Sequence, residues 1–442
     1  MTDDLYLPVK IAGLTFKNPY YVSSGPTART VRQLKAIEKA GWAAASLKLS
    51  IDPKPYINHN PRYAILKQYN ALAFTAEKRL TFDEGMRLMS DAKREVREIL
   101  LMANMAYAGD GGPAGWARMA MGFEGVGADA IELNLCCPNM SFNIEATTGG
   151  IGVNPQCSGV NTGNDAGADQ QRSGASIGRD AGIVADITAA VKKAVKIPVF
   201  VKLTPEGGDI GNVAKAAFLA GADAVSGTGN RLGMPPINLE DPGAAAYHLQ
   251  KEISLGCFCG GWLKPLAQRD TYEIRKACGP SVPILATGGI RTAWDALEMA
   301  MCGADMVGVC TETLLSGYNY INSVVHETKQ WLNSHGYKSF SDIRDMVAAT
   351  VKAAPELTLY QGYAACRRAD CPLSADCGLC AEICPESAIV IDGSGEVVID
   401  RESCSACGIC MYQCPNTNIE IARGRFSLSK GDGYCRKQYP SL

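Results

Sequence analysis

One short phrase recurs along this chain. A helical pattern closes on Gly, Ala and Asp (or a substitute) follow, and an apolar strand begins. It reads AGWAAASLK at Ala40–Lys48, GADAIELN at Gly127–Asn134, GADAVSG at Gly221–Gly227 and GADMVGV at Gly303–Val309. The glycine suits the position just past a helix C-terminus, and the polar-to-apolar step after it starts the next strand. Lys196–Pro205 (KIPVFVKLTP) and Ser281–Ile290 (SVPILATGGI) are further apolar runs, flanked by helical patterns such as TAWDALEMAM. With Tyr20–Ser24 and Glu98–Asn104 the count reaches eight strands, each followed by a helix-length segment. Strands this apolar, alternating with helices, predict a parallel sheet covered on both faces. Eight such units in sequence fit an α/β fold of the (β/α)8 TIM barrel type. A doubly wound open sheet is the alternative.

The barrel is expected over residues 1–335, with a helical linker at 336–365. Beyond Pro355 cysteine becomes frequent and strands shorten, as in AIVIDG and EVVID, so residues 366–423 read as a small α+β domain and 424–442 as a polar tail. Residues 141–179 are rich in Gly, Asn and Ser, show no period, and follow directly on CCPN; they read as a lid over the site. The formal net charge is −2 with the signs mixed along the chain, which offers no field for nucleic acid. No apolar run is long enough for a membrane span, and MTDDLYLPVK lacks a secretory pattern, so a cytoplasmic protein is expected. In such a chain 18 cysteines point to metal or redox chemistry rather than to disulfides.

Cys404-x2-Cys407-x2-Cys410-x3-Cys414-Pro415 is a complete bacterial ferredoxin run, whose fourth cysteine ligates the neighbouring cluster. Upstream, Cys377-x2-Cys380-x3-Cys384-Pro385 supplies the last three ligands of a second run. Spacing puts its first ligand at Ser374; the cysteine three residues earlier, Cys371, is taken as the displaced ligand, with Cys366 or a non-cysteine ligand as alternatives. The reading is a 2[4Fe-4S] ferredoxin-like domain that moves single electrons; structural zinc is the competing use of paired CxxC.

Such an electron path needs a terminus. No G-x-G-x-x-G follows a strand, so a Rossmann nicotinamide site is not expected. Lys48 and Lys202 instead close strands two and five, where a lysine among apolar residues needs an anion or polar partner. Thr287-Gly288-Gly289 and Cys310-Thr311 follow strands seven and eight, where barrels of this class bind phosphate.

IELNLCCPN resembles the catalytic ELNxSCP segment of dihydropyrimidine dehydrogenases and class 1 dihydroorotate dehydrogenases. LPVKIAGLTFKNPYYVSSGP, NHNPRY, VKLTPEGGDI and ILATGGI resemble further segments of that family, and the likeness spans essentially the whole chain. The barrel-then-ferredoxin order favours the dihydropyrimidine dehydrogenase branch, in its bacterial small-subunit form. The resemblance implies FMN over the barrel mouth, with Lys48 and Lys202 at its ring and Gly288, Gly289, Cys310 and Thr311 at its phosphate. Ser23, Ser24 and Asn134 would touch flavin or substrate, and Asn70, Asn134, Asn139 and Asn230 would hold the substrate. Cys137 aligns with the family's catalytic cysteine and Cys136 with the serine before it.

On that reading FMN N5 delivers hydride to one carbon of an activated C=C, and Cys137 protonates the other. An ordinary thiol, titrating near pH ~8.5, is largely protonated at neutral pH and can act as this acid. Pro138 ends the strand and places Cys137 on a loop, whereas Cys136 is expected to pack within the strand; a vicinal disulfide is the alternative. Two departures bear on substrate. Where the family has TNT the chain reads Thr228-Gly229-Asn230, and the lid is longer than the family's. The substrate is therefore a pyrimidine or another small cyclic imide, lactam or enone. An electron-donor flavoprotein subunit or ferredoxin and a homo-oligomer are the expected partners. Competing readings are an electron-transfer subunit with a vestigial site and a phosphate-binding barrel without redox activity.

Overall fold

In the computed structural model, which describes residues 7–54, 59–75, 78–138, 174–227, 229–244, 247–367, 377–423 and 426–429, the eight expected strands all form. They are β1 (Tyr20–Val22), β2 (Ala44–Ser46), β3 (Leu100–Tyr107), β4 (Ala130–Leu135), β5 (Val199–Leu203), β6 (Ala224–Gly227), β7 (Leu285–Thr287) and β8 (Met306–Val309). Every neighbouring pair is parallel. β8 returns to β1 with Val307 opposite Tyr20, and β6 meets β7 through a parallel bridge between Val225 and Ile284. That bridge closes the cylinder. A doubly wound sheet would keep two free edges here, so the open alternative falls.

Eight helices follow the strands in turn: α1 (Val31–Lys39), α2 (Phe82–Glu95), α3 (Gly112–Gly125), α4 (Ala181–Ala194), α5 (Ile210–Leu219), α6 (Lys264–Cys278), α7 (Ala293–Met301) and α8 (Ile321–Ser334). Thr30, Thr81, Asp180, Asp209 and Thr292 cap five of them, each side chain accepting a first-turn amide, an interaction worth about 1 kcal/mol apiece.

The recurring phrase now has a mechanical account. Its glycines, Gly41, Gly127, Gly221 and Gly303, take φ values of +94°, +89°, +102° and +123°, which side chains rarely adopt. Its aspartates tie the new strand to its neighbour: Asp129 accepts from the Leu101 amide at 2.7 Å, Asp223 from Val199 at 2.8 Å and Asp305 from Ile284 at 2.9 Å. Each also meets a cation on a helix, Lys93, Lys192 and Arg275 respectively.

Side chains alternate across each strand, so the wall has two faces. Outward residues such as Leu101, Ile131, Val201 and Val307 form the main core under the helices. Inward, one residue from each strand builds a second core: Tyr21, Ala44, Met102, Ala130, Phe200, Ala224, Leu285 and Met306. Ile11 and Phe16, from an N-terminal hairpin, join this layer. Two residues further along the strands the inward positions become polar: Ser23, Ser46, Asn104, Glu132, Lys202, Ser226 and Thr287 are all buried. The barrel is therefore sealed below by apolar packing and polar above.

The chain divides into two compact units, Met1–Val351 and Lys352–Leu442. The expected helical linker at 336–365 is not helical: it contains 3-10 turns at Phe340–Ile343 and Ala354–Glu356 and a strand at Tyr363–Cys366. Its first part belongs to the barrel unit. Phe340 is buried beside the Tyr20 ring, and Asp345 binds Arg275 at 2.9 Å. Gly336 and the left-handed Asp345 interrupt any helical run there.

In the second unit Tyr363–Cys366 pairs antiparallel with Ile419–Arg423, and Ile389–Ile391 with Val397–Ile399; short helices lie at Leu379–Glu382 and Ile409–Gln413. No helix among the described residues is long and apolar enough to cross a membrane. Asn139, Thr228, Cys371, most of the expected lid and most of the tail lie outside the described residues.

The described end of that lid packs on β4. A Cβ on Gly178 would lie 1.6 Å from the Leu135 carbonyl oxygen, whereas one on the exposed Gly125 would meet nothing within 4 Å. Gly178→Ala should lower unfolding free energy by about 1–3 kcal/mol, and Gly125→Ala should be neutral or slightly stabilising. Urea denaturation of the two variants checks this; equal stability would contradict the packing described.

Candidate active site

At the C-terminal ends of the strands lies a cavity of about 280 Å3. Its walls include Ser23, Ser24, Lys48, Asn70, Asn134, Cys137, Lys202, Asn230, Thr287, Gly288, Gly289, Cys310 and Thr311, drawn from distant parts of the sequence. Of the residues singled out for this site from sequence, Asn139 alone falls outside the described residues. Cys136 also borders the cavity, because the strand pleat ends at Leu135 and strict alternation ends with it. Cys136 and Cys137 are not joined in a vicinal disulfide.

The floor of the cavity is the polar layer. Lys48 and Lys202 are only 2% and 6% exposed. Burial pulls the Lys202 ammonium down, but the charge of Glu132, with smaller contributions from the thiols of Cys136, Cys310 and Cys137, outweighs it and holds Lys202 above its ordinary range. Glu132 accepts hydrogen bonds from Ser46 and Asn104. Asn104 in turn accepts from the Asn134 amide at 3.0 Å, and the Asn134 oxygen faces the Cys136 amide at 3.4 Å and its thiol at 3.3 Å. One network thus runs from the barrel centre to the paired cysteines.

The far end of the cavity is built of bare backbone. Gly288 and Gly289 have φ of +119° and +74°, and a Cβ on Gly289 would lie 2.4 Å from the Lys264 amide nitrogen. A Cβ on Gly25 would lie 2.3 Å from the Cys310 sulfur. Thr287 donates to the Gly227 carbonyl at 2.7 Å, which stitches β7 to β6. Two buried ammoniums together with side-chain-free glycine backbone lining the same cavity suit an electron-rich ring carrying a phosphate, so the residues present fit a flavin mononucleotide.

Part of the site was not legible in sequence. Tyr63–Leu66 and Ala71–Phe74, after β2, join Gly256–Cys259 and Arg231–Gly233, after β6, in a four-stranded antiparallel sheet that supplies Tyr63, Leu72, Phe74 and Cys259 to the cavity. Arg79, 3% exposed, places Nη2 3.1 Å from the Cys137 sulfur. Arg291 donates to the Asn70 side-chain oxygen at 3.1 Å and meets Glu312 at 3.2 Å. Nothing in EKRLTF or GGIRTA marks either arginine, because each acts through a partner distant in sequence.

In the second unit thiols border two small cavities. Cys384, Cys404, Cys407 and Cys410 line one; Cys366, Cys377, Cys380 and Cys414 line the other.

Known proteins resemble both units of the chain. The family model for dihydroorotate dehydrogenase matches residues 157–332, and that for the 4Fe-4S dicluster domain matches residues 375–418. The chain is 30% identical over 304 residues to the catalytic subunit of dihydroorotate dehydrogenase B (NAD(+)) of Methanosarcina mazei, covering 69% of this chain and 83% of that one. It is 26% identical over 343 residues to the protein of the same name from Pyrococcus furiosus, covering 76% and 97%. With the chloroplastic dihydropyrimidine dehydrogenase (NADP(+)) of Arabidopsis thaliana it shares 22% identity over 363 residues, 76% of each chain.

The floor network yields a pH prediction. Lys202 sits above the ordinary lysine value of 10.5, so its contribution to stability is complete below that pH and is lost as pH rises through the folded value. Glu132→Gln removes the charge that raises it, so the loss of stability above that pH should be smaller in the variant. Unfolding curves of both proteins between about pH 8 and 11 test this, and superimposable alkaline limbs would refute the role given to Glu132.

Proposed function

The chain belongs to the family of dihydroorotate and dihydropyrimidine dehydrogenases, and on that premise we propose that its barrel reduces, or in reverse forms, an activated C=C bond in a small cyclic substrate. It is an oxidoreductase acting on CH–CH groups, joined to an iron–sulfur domain. The observation that carries the finer reading is the meeting of Cys137 with two buried lysines at one cavity on the C-terminal face of the barrel.

When bound, FMN supplies hydride from N5 and two iron–sulfur clusters relay single electrons to or from it. Lys48 and Lys202 hold the negative charge of the ring, while the amides around Gly288, Gly289 and Thr311 take the phosphate. Ser23, Ser24 and Asn134 border ring and substrate. Asn70, Asn230 and Asn139 bind the polar atoms of the substrate. Cys137 donates a proton to the substrate carbon beside the one that receives hydride, and takes it back in the reverse direction. Arg79 lies against the sulfur and steadies the thiolate left after transfer. The antiparallel sheet keeps water from the reacting face.

A pyrimidine base is the first substrate to test. The Gly229–Asn230 turn after β6, which departs from the family's pattern, favours a second reading in which another cyclic imide, lactam or enone takes its place. A separate flavoprotein or ferredoxin exchanges electrons with the clusters, and the working form is a homo-oligomer.

Protein reduced with dithionite under anaerobic conditions and freed of excess reductant should be reoxidised by uracil or thymine, read as return of flavin absorbance. Cys137→Ala should slow this by about 10²–10⁴-fold with flavin content unchanged. Equal rates in variant and wild type would remove Cys137 from the chemistry. Reoxidation by orotate, a cyclic imide or an enone alone would establish the second reading, and a purified protein without flavin would defeat both.

A further inference from the structure

We propose that Cys366, rather than Cys371, supplies the fourth thiolate to the cluster of the incomplete cysteine run. The inference builds on the iron–sulfur reading of the second unit and concerns which side chains hold the metal.

The complete run provides an internal standard. In a dicluster domain each cluster takes three thiolates from one run and a fourth from the end of the other. Cys404, Cys407 and Cys410 border one cavity, and the thiol that joins them is Cys384, the last of the other run. Cavity lining in this unit therefore reproduces the ligand set that spacing demands. By the same rule the second cavity should show Cys377, Cys380 and Cys414 plus one more thiol. All three are there, and among the described residues, to which Cys371 does not belong, the additional thiol on its wall is Cys366.

Cys366 reaches this position through the sheet. It ends the strand Tyr363–Cys366 and lies opposite Ile419, next to Asn418 and a few residues past Cys414. Antiparallel pairing thus does what the usual two-residue spacer does in the complete run. The residue that the spacer rule would use is Ser374, which offers no thiol.

Hydrogen bonding gives a second, independent observation. Ligand thiolates of clusters are acceptors, commonly met by N–H donors that tune the cluster. The Ala364 amide points at the Cys404 sulfur and the Ala388 amide at the Cys384 sulfur, both at 3.3 Å. Asn418 does this for two thiols of the second cavity: its backbone amide donates to Cys414 and its side-chain amide to Cys366, each at 3.2 Å. Asn418 is only 6% exposed, so both donations come from a buried residue. A strand cysteine serving merely as a small apolar side chain would not attract a buried amide donor.

The test uses the full-length holoprotein. It is alkylated with iodoacetamide under anaerobic, native conditions, and the modified cysteines are mapped by mass spectrometry before and after the clusters are stripped with chelator and ferricyanide. Cys366 should be protected in the holoprotein and labelled once stripped, whereas Cys371 should be labelled in both. The reverse pattern would overturn the proposal. Cys366→Ala should lose up to about half of the bound iron or convert one cluster to a three-iron form visible by EPR in the oxidised state. Cys371→Ala should keep all of its iron. Full iron and an unchanged reduced-cluster EPR spectrum in Cys366→Ala would refute the assignment. Should Cys366→Ala fail to fold, Asn418→Ala reads the same site: the reduction potential of one cluster should shift, and two unmoved potentials would count against it.

Discussion

Burying positive charge inside a closed barrel is the constraint on which the rest of this structure depends. Lys202 points inward at a level where its neighbours on other strands are also enclosed, and an uncompensated ammonium there would cost several kcal/mol. Glu132 provides the opposing charge, and Ser46 and Asn104 anchor that carboxylate. The layer beneath, from Tyr21 to Met306, is a hydrophobic core, and above it Ser46, Asn104, Glu132 and Asn134 hydrogen-bond one another. The barrel is thereby divided into a sealed base and a charged floor, and the floor is where an anionic or electron-rich group is favoured.

The same network reaches the segment that carries Cys137, the thiol proposed as the acid. Asn104 binds Asn134, and Asn134 faces Cys136, so the backbone just before Cys137 is referenced to the barrel centre rather than to a loop. From the other side Arg79 fixes the sulfur. Positioning from two sides is what the proposed proton transfer requires, because a displacement of about 1 Å at an acid costs rate steeply. The glycine turns after β7 contribute by lacking side chains: a Cβ at Gly289 would strike the start of α6.

The second unit solves a different problem with one device used twice. Among the described residues each of its cavities is lined by four thiols from separate stretches of chain, and amide-to-sulfur hydrogen bonds reach several of them. Cysteine spacing along one run explains most of these positions. Strand pairing explains Cys366, which no spacing rule would select.

Sequence alone determined the barrel, because the helix–Gly–Ala–Asp–strand phrase records local physics: a left-handed glycine stops each helix, and an aspartate fastens each new strand. It also determined the iron–sulfur character of residues 375–418, since ligand spacing is set by the short reach of one thiol to the next, and it marked the two lysines, since charge at the end of an apolar strand needs a reason. What only the tertiary structure decided are contacts made across large sequence separations. The four-stranded antiparallel sheet joins segments that follow β2 and β6; Arg79 meets Cys137; the segment after Gly336 packs as turns against α7 instead of forming a helical linker; and Cys366 is brought beside Cys414 by a sheet. Local pattern reports what a residue does to its own backbone, whereas these pairings depend on where closure of the barrel and pairing of distant strands bring two remote segments together.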